Sequence, residues 1–169
     1  MFGASWTSET VHPESKPSIT MKIEDLLKKT QAELDDIFTH NTAGNIPIGN
    51  ATGEAIVWPG TLWTRLIARF VHDLAWQGKV FTPTPGGSGA TLENKLGPTG
   101  IKSVVARVYY TPSWLDDKEC IVLDYSKTSL LARKIRDEIR LIDPATKLYL
   151  GKVWWGKTRL IDFALQFPT

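Results

Sequence analysis

Asp137 is the residue in this sequence whose setting most calls for chemistry. Read with the two-residue period of a β-strand, the segment Arg133 to Ile142 sorts into two rows, Ile135, Asp137, Ile139 and Leu141 against Lys134, Arg136, Glu138 and Arg140. The second row reads as a charged, solvated face. The first is apolar apart from one carboxylate, and an unpaired buried charge is very costly, so an inward Asp137 needs a partner. Lys152 shares a row with Leu148, Leu150 and Trp154, while Asp162 shares one with Leu160, Ala164 and Gln166. The Asp143-Pro144 hairpin brings the Asp137 row beside the Lys152 strand. A buried Asp137 and Lys152 pair is either a structural salt bridge or the polar anchor of an apolar pocket.

Tyr125, with Asp124, ends the apolar run Cys120-Ile121-Val122-Leu123. With Tyr109 or Tyr149 it can place a phenol at a cavity mouth, to orient a ligand or donate a proton, or it can be a core tyrosine with a bonded hydroxyl. Asp137, Tyr125 and Lys152 are therefore the candidates for catalysis. Cys120 has no histidine nearby in sequence and reads as a small buried hydrophobe. His72 reads as a surface residue beside Asp73, and no His, Cys or carboxylate cluster has the spacing of metal ligands.

Seven tryptophans are present, and Trp58, Trp63, Trp76, Trp114, Trp154 and Trp155 fall in or beside the segments expected to form the sheet and its cover. Flat rigid rings either line a pocket or fill a core. The expected lining of a pocket comprises Trp63, Phe70, Tyr109, Tyr125, Tyr149 and Trp154, with Asp137 and Lys152 as polar anchors.

The elements that must position these residues follow from periodicity. Leu26, Leu27, Thr30, Leu34, Ile37 and Phe38 recur at helical spacing from Lys22 to His40, and Thr30 with Glu33 fits a capping box, which permits two short helices in tandem. Asn41 to Gly60 is rich in Gly and Pro and reads as a long ordered connection, with a short strand possible at Ala55 to Trp58. It lacks the Lys and Ser/Thr of a phosphate loop. From Thr61, Leu62, Trp63, Leu66, Ile67, Phe70, Val71 and Leu74 form the apolar face of an amphipathic helix.

After Gly78 the period changes to two, and strands are expected at Lys79 to Thr82, Thr91 to Leu96, Lys102 to Thr111, Glu119 to Tyr125, Arg133 to Ile142, Leu148 to Trp155 and Arg159 to Phe167. Short turn-rich loops force successive strands to be antiparallel, giving a meander that removes its edges by closing into a barrel. The expected fold is thus mainly β (α+β), an antiparallel meander β-barrel with N-terminal helices capping one end. Residues 1–20 are expected to be a flexible tail, and residues 21–169 a single domain with a helical cap and connection (22–75) and a barrel (76–169).

Composition narrows the function. The 169 residues suit one domain; 42% are hydrophobic and 22% charged, as in ordinary globular proteins. The 20 Lys plus Arg and 18 Asp plus Glu are interleaved, so no basic footprint for nucleic acid is visible. No apolar run is long enough for an integral membrane segment, and one cysteine fits a reducing compartment, the cytoplasm.

At Leu74-Ala75-Trp76-Gln77-Gly78-Lys79-Val80-Phe81 a helix runs into a Trp-x-Gly-Lys entry to a strand. This, with the meander ending in Ile161, Phe163, Leu165 and Phe167, resembles calycin-type barrels such as the lipocalins, fatty-acid-binding proteins and nitrobindin-like proteins, over roughly residues 60 to 169. Asp-Glu-Ile-Arg at 137 to 140 and Leu-Tyr-Leu-Gly-Lys at 148 to 152 also resemble uncharacterised bacterial proteins of similar length, a likeness that implies no activity. Two departures stand out. A lipocalin usually carries Gly-x-Trp near its start, and a nitrobindin-like haem site uses a histidine on a late strand, whereas His12, His40 and His72 all precede the sheet. The expected function is binding of a hydrophobic or lipid-like small molecule between the barrel wall and the helix that starts at Thr61, with no cofactor. The alternatives are a cyclase or isomerase using an Asp or Tyr in the same cavity, and a homodimer formed through the edge strand Leu160 to Phe167.

Overall fold

The computed structural model describes residues 20–57, 79–87, 89–94, 104–127 and 132–169. The expected tail up to residue 19 and the helix expected from Thr61 lie outside them.

Helix α1 (Ile23–Leu26) and helix α2 (Gln31–His40) follow one another in tandem. The start of α2 is fixed by the Thr30/Glu33 box: Thr30 Oγ1 accepts from the Glu33 amide at 3.3 Å, and Glu33 Oε2 accepts from the Thr30 amide at 2.8 Å. The strands are β1 (Gly49–Ile56), β2 (Lys79–Pro83), β3 (Ala90–Asn94), β4 (Val104–Pro112), β5 (Glu119–Asp124), β6 (Ile135–Asp143), β7 (Leu148–Trp155) and β8 (Thr158–Gln166). A single 3-10 turn, Ala132–Lys134, leads into β6. Every strand pairs antiparallel with the next, and β1 pairs with both β2 and β8, so the sheet is a closed barrel in meander order.

The eighth strand corrects the reading of Asn41 to Gly60 as connection with a short strand at Ala55 to Trp58. Strand β1 alternates as a strand should, but its inward residues Ala51, Gly53 and Ala55 are small, so the row carries little hydrophobic signal. Their size has a cause across the pairing. A Cβ on Gly53 would sit 3.0 Å from Leu165 Cδ2, and Gly53 faces Leu165 in the register. Closure also corrects the expectation of an exposed edge at Leu160 to Phe167. Over residues 162–166, β8 is bonded to β1 on one side and β7 on the other, and that edge is not available to a second chain.

Two apolar clusters divide the protein into an inside and an outer wall. Inside the barrel pack Phe81, Leu92, Ala106, Val108, Ile121, Leu123, Ile139, Val153, Phe163 and Leu165. On the outer wall Leu26, Leu34 and Phe38 of the two helices pack against Cys120, Val122, Leu148, Leu150 and Ala164. The chain just after α2 turns in to close one end: Ala43 and Ile46 join the interior cluster, Leu141 N donates to Thr42 O at 3.1 Å, and Tyr149 Oη donates to Asn45 O at 2.7 Å. The N-terminal segment thus covers both a wall and an end.

Because α2 lies against it, the row Lys134, Arg136, Glu138, Arg140 is not the solvated face its charges suggested. Glu138 and Arg140 are fully buried. Glu138 accepts hydrogen bonds from Ser113 Oγ (2.6 Å), the Trp114 amide (2.9 Å) and Arg136 Nε (2.7 Å), which compensates its desolvation.

Gly151 marks the tightest inward approach. A Cβ there would collide with Cζ, Cε1 and Cε2 of Phe163, which faces Gly151 across the β7–β8 pair. Gly151→Ala is therefore expected to lower stability by about 1–3 kcal/mol through overpacking. A urea titration checks this, and a variant as stable as the parent would show that the Phe163 ring is free to move aside.

Candidate functional site in the barrel interior

The register that closes the barrel decides which side chains meet. Asp137 lies opposite Leu123 on β5 and Val153 on β7, so it projects inward with them. Tyr125, just past β5, also points inward and donates its hydroxyl to Asp137 Oδ2 at 3.1 Å. Lys79, the first residue of β2, reaches the same oxygen from across the barrel with its Nζ at 3.6 Å. The Phe163 ring centroid is 5.0 Å from that Nζ, a cation–π distance. Asp137 and Tyr125 are 0% and 1% exposed, and Lys79 6%.

Three polar groups therefore meet inside an apolar shell, and their electrostatics are those of a low-dielectric site. Burial pushes the Asp137 carboxyl above its ordinary range, and the charge of Lys79 and the Tyr125 hydrogen bond oppose this only in part. Burial likewise holds the Lys79 amine below its ordinary range against the attraction of Asp137. A raised acid beside a lowered amine is the pair of shifts that suits proton donors and nucleophiles.

One atom of the trio stands apart: Asp137 Oδ1 is buried and has no hydrogen-bond partner among the described residues. Buried polar atoms are nearly always bonded, so such an oxygen either costs stability or awaits a partner. No family model, curated protein or solved structure matches the chain. The functional reading therefore rests on this geometry.

The other expected site residues are distributed by the same register. Tyr149 faces inward but is committed to the plugged end through its bond to Asn45 O. Burial pushes its hydroxyl up to about 12. Tyr109 faces outward, 37% exposed, and donates to Asp124 Oδ2 at 3.3 Å. Trp154 is on the outer wall, edge-on to Trp114 with centroids 5.9 Å apart. Trp63 and Phe70 lie outside the described residues.

The expected pairing of Asp137 with Lys152 is overturned. Lys152 lies opposite Glu138, one residue out of phase with Asp137, and so points outward, where its Nζ contacts Asp35 Oδ1 (2.6 Å) and Asp162 Oδ1 (3.3 Å). Arg159 completes that cluster by bonding both Asp35 and Asp162. These four charges fasten α2 to β7 and β8, a structural task.

The residue that sequence reasoning missed is Lys79. A signal existed, because strand alternation puts Lys79 in one row with Phe81, and Phe81 is a core residue. Cys120 is buried on the outer wall, its thiol pushed up to about 12 by desolvation, which makes it an unreactive hydrophobe. Among the described residues no group of three or more His, Cys, Asp and Glu could hold a metal ion, and no helix is long and apolar enough to cross a membrane.

Proposed function

We propose that the barrel interior binds a small, largely apolar molecule whose polar end meets Asp137. The observation that carries this reading is Asp137 Oδ1, without a partner among the described residues and set in an apolar wall beside two groups that already occupy Oδ2. A donor from a ligand would satisfy the oxygen, and the aliphatic and aromatic lining would accept the rest of the molecule. An eight-stranded barrel is of a size to hold one small ligand or to be filled by its own side chains. Calycin-like kinship, with its habit of enclosing hydrophobic molecules, and a cytoplasmic address fit the same reading.

Native mass spectrometry of the untreated protein tests it first, the expected result being a bound mass released on denaturation. The second test is calorimetric titration of stripped protein with 1-decanol, whose hydroxyl can donate to Asp137. Saturable uptake of one molecule is expected, weakened about tenfold, or about 1.4 kcal/mol, in Asp137→Asn. The absence of both a co-purifying mass and saturable uptake would refute the binding role.

The raised carboxyl of Asp137 favours one second reading, proton transfer to a bound substrate in an isomerase- or cyclase-type reaction. The same variant separates the two. A proton donor lost to Asn leaves uptake nearly intact and abolishes turnover, whereas a binding anchor lost to Asn weakens uptake.

A further inference from the structure

Building on the interior binding site, we propose that Lys79 captures a carbonyl compound, an aldehyde or ketone with an apolar body, as a Schiff base, with Asp137 moving the protons. Three features of the site converge on this chemistry. The amine of Lys79 is held 3.6 Å from one carboxylate oxygen, in an ion pair whose lysine makes no other charged contact among the described residues. The second oxygen of that carboxylate has no partner among the described residues and can reach a group bound beside the lysine. The side chain of Lys79 keeps 7% of its surface exposed where that of Asp137 keeps none, so the nucleophile is the accessible member of the pair.

Desolvation supplies the reactive form, since it disfavours the ammonium and enlarges the share of neutral amine. In the pair's neutral form, the Lys79 nitrogen attacks the carbonyl carbon. As the C–N bond forms, the π electrons move to oxygen, which takes the proton of Asp137. The Asp137 carboxylate then removes a proton from the nitrogen, giving a neutral carbinolamine, and returns it to the hydroxyl. Water leaves as the nitrogen lone pair forms the C=N bond. The products are a protonated imine, the Asp137 carboxylate as its counter-ion, and one water; nothing is oxidised or reduced. The Tyr125 hydroxyl, 3.1 Å from Asp137 Oδ2, holds the carboxyl in place through these transfers. An ion pair thus replaces an ion pair, and the fold has no new charge to bury.

Decanal with sodium cyanoborohydride tests the proposal, and 1-decanol, which lacks the carbonyl, serves as the companion ligand. The expected result on the full chain is one reduced decanal adduct per molecule, mapped by peptide mass spectrometry to Lys79 and formed at least tenfold faster than on any other lysine. Excess decanol should suppress it. At ligand concentrations that saturate the variant, Asp137→Asn should slow adduct formation at least tenfold, a loss beyond its weakened decanol binding. Decanol binding combined with adducts only on other lysines would overturn the Schiff-base proposal and leave the binding role standing. Failure of both ligands to bind would remove both. The peptide map of the unaltered protein decides the matter even if a variant does not fold.

Discussion

Lys79→Met is expected to destabilise the protein by about 3–5 kcal/mol near pH 8, because it strands a carboxylate in the barrel interior. That loss should shrink as pH falls towards about 4. The sign follows from linkage. Burial raises the Asp137 carboxyl above its ordinary value of 3.8, so the folded state holds this proton more tightly than the unfolded chain does. Its contribution is fully present below about pH 4 and is lost as pH rises through the folded value.

Lys79 is the main charge opposing that rise, so its removal moves the folded value further up and widens the window of loss towards alkaline pH. Lys79 itself acts in the opposite sense. Its folded value lies below 10.5, so its contribution is present above that pH and declines as pH falls through the folded value, a slope the methionine variant lacks. Urea titrations at pH 5 and pH 8 check this, and equal losses at the two values would refute it. The double variant Lys79→Met, Asp137→Leu should recover most of the deficit, because the pair then leaves no charge behind.

Arg140→Leu is expected to cost a similar 3–5 kcal/mol, this time by releasing the outer wall. The Arg140 guanidinium is fully buried and donates to Asp116 Oδ1 and Oδ2 (2.7 and 2.8 Å), Phe38 O (2.9 Å), Lys118 O (2.9 Å) and Glu119 O (3.0 Å). It also lies 4.4 Å from the centre of the Phe38 ring. One side chain therefore joins the end of α2, the β4–β5 loop and β6. Leucine would leave three carbonyls and a carboxylate without these donors.

Asp116 supplies a second readout. The Arg140 hydrogen bond holds its carboxyl below 3.8, a contribution present above that pH and lost as pH falls through the folded value; the variant should lose this acid dependence. Amide exchange in α2 should speed up in parallel with the fall in stability. A loss below about 1 kcal/mol would mean that water replaces the guanidinium at little cost. Arg140→Lys should recover only part of the stability, since an ammonium cannot grip both carboxylate oxygens in parallel.

These residues also show what the sequence could and could not reveal. The strands after Gly78 were legible because large β-branched and aromatic residues alternate with turn-forming ones, and the inward place of Asp137 follows from its row. Strand β1 was not legible, since Gly53 must stay small beneath Leu165 and its row therefore carries no large hydrophobe. Which face of β7 looks inward was equally hidden. Its outer row of Leu148, Leu150, Lys152 and Trp154 is as buried as its inner one, because α2 covers the wall. Apolar character on both faces erases the contrast that reveals parity, so Lys152 and Trp154 were assigned to the wrong side. The partner of Asp137 was invisible for another reason. Lys79 is 58 residues away in sequence and enters the site only through barrel closure, which local patterns do not encode.

The pairing of β1 with β8 has a further consequence, for the order of assembly. Thr52 and Gln166, neighbours in the ring, are 114 residues apart along the chain, so the first strand emerges from the ribosome long before its second partner exists. Until then a nascent chain has two unmated flanks, one on β1 and one on the newest strand, both templates for pairing with another molecule. The search for so distant a mate also makes ring closure slow. Vulnerability to misassembly should thus peak just before synthesis of the final strand and end when that strand slots between its two neighbours.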